Sequence, residues 1–348
     1  MKALVWRTTT VADIAVEHVP EPVPAEREAL VRVGCGGICG SDIMIISGKH
    51  PRAKPPLVLG HEFMGRVEAL PAASGLPDGG ELRGRRVVVE PLLSCKTCRP
   101  CRAGHEHVCE SLKLLGVETD GGFAELVKAP VERVYPIPDS VSDEEAAIIE
   151  PLAVAVHAVS CGEIPGDGAA GQTTASVIGG GPIGLLIAQV LRAAGVGKIW
   201  VCEVDGYKLS LADKLGLEWI DAAKHDPVQE VLKRTGGRGS DVTFDAAGVP
   251  ETGMQLIPMT GIRGRIVMVA IHKKPCEVAF RDLAYREQKI LGVRIYARGD
   301  FQKAIGLVAG KKVDLKPLVT GVYSLDRAVE AFDLARSGKN VCKVLIRP

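Results

Sequence analysis

Four cysteines, Cys95, Cys98, Cys101 and Cys109, fall within 15 residues in the pattern C-x2-C-x2-C-x7-C. Thiolates at that spacing can close round one ion as a tetrahedral structural zinc site, stapling a loop that has little core of its own. An iron–sulfur cluster is the competitor, but the fourth cysteine comes too late after the third and is followed by Glu110, not proline. A second set is dispersed: Cys39 within Gly36-Gly37-Ile38-Cys39-Gly40-Ser41-Asp42, His61 and Glu62 after Gly60, and Glu150 before Pro151. One thiolate, one imidazole and a carboxylate suit a catalytic zinc with an open position. On the residue types alone, Cys39 as a buried core thiol and His61 as a satisfied core histidine are the safer reading.

A third constellation is Gly179-Gly180-Gly181-Pro182-Ile183-Gly184, which fits G-x-G-x-x-G. Its context raises its value: a short β-run precedes it, a helical pattern follows, and Glu203 stands 19 residues past Gly184 at the end of the next apolar run. Gly179 permits the tight turn, Gly181 lets backbone approach a pyrophosphate, and Gly184 lets helix pack on strand. Glu203 would accept from ribose hydroxyls and repel a 2′-phosphate, which favours NAD over NADP. Lys208 is the one nearby cation.

These groups need elements to hold them. Residues 1 to about 150 read as short β-runs broken by Gly and Pro, for example Ala29 to Val33 and Arg86 to Glu90. From Thr174 onward strands alternate with helices: the run to Ile178, a helix closed by Gly195, the run Ile199 to Val204, a helix from about Tyr207 to Leu215, and a helix starting at Pro227 behind Asp226. That alternation predicts a parallel sheet with helices on both faces. The chain has 348 residues, enough for two cores. Its 43 basic and 42 acidic residues leave no charge excess to hold a nucleic acid. The longest apolar stretch, Pro182 to Ala194, is interrupted and too short to span a bilayer. The N-terminus lacks a signal-peptide core, so the chain reads as cytoplasmic, where clustered cysteines are ligands more often than disulfides.

Taken together, Gly-Ile-Cys-Gly-Ser-Asp at 37–42, Gly-His-Glu at 60–62, the four-cysteine lobe, Glu-Pro-Leu-Ala-Val-Ala-Val-His-Ala at 150–158 and the glycine loop resemble the zinc-dependent medium-chain dehydrogenases. The sequence is most similar to their sorbitol (polyol) and butanediol branch. The resemblance implies an α/β protein: a GroES-like β-rich catalytic domain over residues 1–152 with a zinc lobe at about 93–112, a Rossmann domain over 153–294, and a C-terminal return to the catalytic domain over 295–348. It implies a zinc held by Cys39, His61 and Glu150, with Glu62 beside it as an alternating ligand or neighbour, hence two zinc ions per chain. Ile183, Lys208, Val269, Ala270, Ile271, Ile295 and Tyr296 are expected to line the cofactor cleft. A homo-oligomer, a tetramer by the habit of the branch, is expected as well.

The reaction these parts imply is hydride transfer between a secondary alcohol, such as a polyol, diol or sugar-derived hydroxyl, and NAD, with zinc as Lewis acid. Ser41, two residues from Cys39, is the expected first proton acceptor. Many relatives carry a histidine in the position of Met44, so the proton must leave by another route: water, the cofactor ribose or a displaced side chain such as His50. Threonine and sugar-acid dehydrogenases of the same family are the alternatives, and a non-enzymatic NAD-binding redox sensor is the rival from another class. His50, Arg52, Lys54, Glu118 and Asp120 make a polar stretch suited to a polyhydroxy or acidic substrate. His157 reads as packing.

Overall fold

The computed structural model describes residues 1–10, 12–70, 82–165 and 169–348. It divides into two compact units, Met1–Glu150 with Leu318–Pro348, and Pro151–Pro317.

The first unit is β-rich. Its larger sheet has the order Val134–Pro136, Arg86–Val89, Glu62–Ala69, Glu28–Gly37, Lys343–Arg347, Val319–Ser324, with Leu126–Pro130 also paired to Glu28–Gly37. Val31, Val33, Val67, Val87 and Val89 face inward from these strands as one apolar layer. A smaller sheet joins Ile14–His18, Lys2–Trp6 and Leu57–Val58. In the larger sheet the register sets Gly37 opposite both Glu62 and Leu345. The end of one long strand, the start of a second and the C-terminal strand therefore meet at one point. There the chain turns through Cys39 into the short helix Gly40–Ile46. Asp42 in its first turn accepts from the Cys39 amide at 2.8 Å, fixing the turn.

The second unit holds six parallel strands: Thr174–Ile178, Lys198–Glu203, Glu218–Asp221, Ser240–Asp245, Thr260–Met268 and Lys289–Gly292. Numbered in chain order, they run 3-2-1-4-5-6 across the sheet, which is the dinucleotide-binding order. The helices are those the caps predict: Asp205 and Asp226 each accept two first-turn amides, opening Gly206–Lys214 and Pro227–Arg234. Residues 295–317, assigned from sequence to the C-terminal return, group by contact with this unit. Gln189 exchanges two hydrogen bonds with the Asp314 backbone, at 3.1 and 2.7 Å, and Asp300 at the head of Asp300–Ala309 pairs with His157 at 3.1 Å. His157 is thus hydrogen-bonded to a carboxylate as well as packed. Among the described residues no helix is long and apolar enough to cross a membrane.

Candidate active site

In the first unit, the ligand atoms of Cys39, His61 and Glu62 lie within 4.8 Å of one another. Donors bound tetrahedrally to zinc at ordinary lengths stand roughly 3.3–3.8 Å apart, so the three fit one ion with little movement. His61 and Glu62 are buried at 7% and 1% exposure, and Cys39 is half-buried. Glu150, in the first turn of Ile149–Cys161, is buried but stands outside this 4.8 Å group. The structure therefore gathers Glu62, not Glu150, with the thiol and the imidazole.

Two charged residues outside the donor set, Asp42 and Lys343, organise this cluster. Asp42, fully buried, holds Oδ1 3.5 Å from His61 Nδ1, leaving Nε2 on the side of Ser41. A carboxylate behind a ligand histidine sets its tautomer and raises its basicity. Burial works to lower the His61 pKa, but the negative Asp42 and Cys39 and their hydrogen bonds together hold it well above the ordinary value. Lys343, on the C-terminal strand, is 3% exposed, pairs with Glu62, and donates to the Ile38 carbonyl at 3.1 Å. Burial opposes its charge, yet Glu62, with Cys39 and Glu150 adding to it, raises its pKa above normal. Gly37 leaves the room for this pair, since a Cβ there would sit 2.5 Å from Glu62 Oε2. A run of three acidic or thiol groups in a buried place thus carries its own buried cation.

Ser41 Oγ is 3.3 Å from His61 Nε2, inside the cluster, and Met44 lies on the same short helix without an exchangeable proton. His50 Nδ1 accepts from the Ala53 amide at 3.0 Å. Arg52 is engaged by Glu118 at 3.0 Å and the Leu112 carbonyl at 2.9 Å, Glu118 also accepts from the Leu114 amide at 2.8 Å, and Asp120 accepts from the Val58 amide at 3.0 Å. These bonds tie the segment around Arg52 and Val58 to the one that carries Glu118 and Asp120.

The four lobe cysteines also converge within 4.8 Å. The Thr97 hydroxyl and amide and the Cys98 amide pull the Cys95 thiol down to about 5, whereas burial and the neighbouring sulfurs push Cys101 up to about 12. Burial opposes a thiolate at Cys109, yet the Cys95 and Ser111 amides lower its pKa too, so the loop favours thiolates at Cys95 and Cys109 and resists one at Cys101, a donor set that calls for a soft cation. The lobe is tied to the unit by Arg133, which pairs with both Glu90 and Glu106, while Ser94 donates to Glu106 at 2.8 Å.

In the second unit, Gly179 has a positive φ of 98°, and a Cβ on Gly184 would strike the Gly179 carbonyl. That close approach is why the helix Pro182–Ala193 can begin where it does. A cleft of about 360 Å³ is lined by Gly179, Gly181, Glu203, Lys208, Ala247 and Thr252. Glu203 is more constrained than its motif suggests: Oε2 accepts from the Gly180 amide at 2.7 Å, and Oε1 from Val204 and Asp205 at 2.7 and 3.0 Å. Lys208 Nζ lies 3.9 Å from the same carboxylate. Val269 and Ala270 are half-buried and Ile271 is exposed, beyond the C-terminal end of their strand. Ile295 holds φ of 54°, a conformation costly for a β-branched residue and one that tends to mark functional segments. Tyr296 departs from expectation. Its ring is fully buried edge-on against Phe301 at 4.9 Å, so it supports the segment from inside and lines no cleft.

Residues 25–139 match the alcohol dehydrogenase GroES-like domain family and residues 182–310 the zinc-binding dehydrogenase family. The chain is 35% identical over 310 residues to a 2-dehydro-3-deoxy-L-galactonate 5-dehydrogenase of Pseudoalteromonas atlantica, covering 89% of this chain and 88% of the relative. It is 33% identical to a sorbitol dehydrogenase of Bacillus subtilis, over 100% of this chain and 97% of the relative. An Escherichia coli structure described as a short chain alcohol dehydrogenase, solved with NADH, superposes with a TM-score of 0.90 at 30% identity, over 100% of this chain and 99% of the other. The chain belongs to the zinc-dependent medium-chain dehydrogenases, enzymes built from a GroES-like part and a Rossmann part.

Proposed function

We propose that the protein oxidises a secondary hydroxyl of a neutral polyol or diol, using NAD and two zinc ions per chain. The observation that carries this reading is the buried convergence of Cys39, His61 and Glu62, held by Asp42 and Lys343. Zinc bound there acts as Lewis acid on the alcohol oxygen and lowers its pKa. Ser41 Oγ, beside His61, would accept the alcohol proton while its own hydroxyl proton passes on toward the cofactor ribose or water. Asp42, at Nδ1, holds His61 so that Nε2 would be the ligand nitrogen. Lys343 balances the anionic donors and holds Glu62, and Glu62 and Glu150 are the two carboxylates that would alternate in completing the zinc shell. The division of labour runs along the chain, with a catalytic part in residues 1–152, its lobe at 93–112 and the C-terminal return, and a dinucleotide part from 153.

A neutral substrate is favoured over an acidic one because Arg52, the guanidinium in the polar stretch of the first unit, is already spent on Glu118 and a carbonyl. NAD is favoured by Glu203, whose charge opposes a 2′-phosphate. The ten cysteines form no disulfide in the structure, which suits a reducing cytoplasm. Exposed Phe280 and Tyr285 on the second unit suit the homo-oligomer, a tetramer by its branch. A panel of diols, polyols, sugar acids and threonine with NAD and NADP tests the assignment. Turnover of neutral diols or polyols with NAD is expected; a preference for the acids or threonine, or for NADP, would overturn it.

A further inference from the structure

At the carboxyl edge of the parallel sheet, one buried carboxylate gathers two turns. Asp245 ends its strand with no exposed surface. Its Oδ1 accepts from the amides of Ala247 and Gly248 at 3.0 and 3.1 Å. Its Oδ2 accepts from Thr252 Oγ1 at 3.3 Å and lies 2.7 Å from His272 Nε2. Its carbonyl takes the amides of Val269 and Ala270 at 3.0 and 2.9 Å. The turn after Asp245 and the turn leading to His272 are therefore fastened together. A Cβ on Gly248 would sit 2.8 Å from the Ala270 Cβ, so they also touch.

An ionised carboxylate only accepts, so the hydrogen shared with His272 resides on Nε2, and the Nε2–H tautomer of the ring presents Nδ1 as an acceptor. That Nδ1 is buried and has no hydrogen-bond partner. With Asp245 gripping the opposite side, the ring cannot turn to satisfy it locally. Buried polar atoms in folded proteins are nearly always paired, and an unpaired one held rigidly at a ligand edge points to a missing donor.

Sheet order says which donor. Glu203 ends the strand Lys198–Glu203, and the strand leading to His272, Thr260–Met268, lies three places further along. At about 4.8 Å per strand the separation is roughly 14 Å. A dinucleotide whose adenosine ribose meets Glu203 extends its other half toward His272.

We propose that His272 is a cofactor-binding residue whose Nδ1 accepts a hydrogen bond from a hydroxyl of the ribose distal to the adenine, with Asp245 as the residue that positions it. This rests on the dehydrogenase reading above, and deepens it by naming a contact outside the glycine loop.

The test is calorimetric titration of zinc-loaded wild type, His272→Gln and His272→Asn with NADH, ADP-ribose and AMP, alongside melting temperatures. Glutamine can place its amide where Nε2 was and keep the bond to Asp245, but supplies nothing at the Nδ1 position; asparagine does the reverse. His272→Gln is expected to melt like wild type and to bind NADH and ADP-ribose about tenfold more weakly, one hydrogen bond's worth. Its AMP affinity stays unchanged, since AMP lacks the distal ribose. His272→Asn is expected to melt lower while keeping more of its affinity for NADH. Wild-type NADH affinity in His272→Gln, or an equal loss for AMP, would overturn the proposal and leave His272 a fastener of the two turns. Failure of wild type to bind NADH at all would instead overturn the proposed function.

Discussion

Replacing Lys343 with Met tests whether the buried cation is needed to hold the donor cluster. Its side chain is 4% exposed and that of Glu62 is 1% exposed, so neither charge has water to fall back on. Glu62 Oε2 has no hydrogen bond of its own, leaving the ion pair as its compensation. Removing one partner of such a pair costs about 3–5 kcal/mol, because the survivor stays buried and uncompensated. At about 2–4 °C per kcal/mol for a unit of this size, the metal-free protein should melt about 6–20 °C lower. In the zinc-loaded protein the ion's charge stands in for the ammonium, so the loss should be smaller. The assay is thermal unfolding by circular dichroism on chelator-dialysed and zinc-loaded samples of wild type, Lys343→Met, Glu62→Gln and the double variant. The double variant removes both charges and should recover most of the stability, since a buried pair replaced by neutral groups is often near neutral. A loss below about 1 kcal/mol in metal-free Lys343→Met, or strict additivity in the cycle, would refute the reasoning.

Ser41→Ala should lower turnover by about 10²–10⁴, the usual worth of a positioned proton-transfer group, whereas Met44→Ala should change it little. Met44→His should add an ionisation near ~6.5 to the pH–rate profile, and near-wild-type hydride transfer in Ser41→Ala, read by deuterium substitution, would remove Ser41 from the mechanism. In the lobe, Cys101→Ser should halve the zinc content by elemental analysis and lower the melting temperature, as a structural zinc contributes folding energy. The depressed Cys95 thiol gives that lobe a pH window: its thiolate contribution is present above the unfolded thiol range and is lost as pH falls through about 5. Lobe zinc captured by a chromogenic chelator should therefore rise as pH falls from 7 to 4, and full retention at pH 4 would contradict the assignment. Glu203→Ala should weaken NADH binding and also loosen the glycine loop that its carboxylate holds through Gly180, so NADPH gains less than relief of charge repulsion alone would give. Unchanged NADH affinity by titration would dismiss Glu203 as a cofactor residue.

What was legible in the sequence is what chemistry demands over short stretches. Four thiols round one ion need close spacing, a pyrophosphate loop needs glycines between a strand and a helix, and helix starts need residues such as Asp205 and Asp226 whose side chains meet first-turn amides. Glu203 was legible for the same reason, since its distance from the loop is one helix and one strand. The alternation of those elements likewise implied the parallel sheet, though not its strand order.

What tertiary structure decided involves residues distant in the chain or charges placed against their usual habit. Lys343 reads as an ordinary surface lysine near the C-terminus, and lysines are almost never fully buried without a partner. Only the pairing of the C-terminal strand beside Glu28–Gly37 carries it to the Ile38 carbonyl, 305 residues away in sequence, and to Glu62. His157 with Asp300, and Asp245 with His272, are joined in the same way across 143 and 27 residues. The grouping of Cys39 and His61 with Glu62 ahead of Glu150 depends on where Gly37 leaves space and on which carboxylate a buried ammonium claims. Local spacing encodes which donors a segment offers. Burial and long-range pairing decide which of them share a charge environment, and that environment exists only once the strands have met.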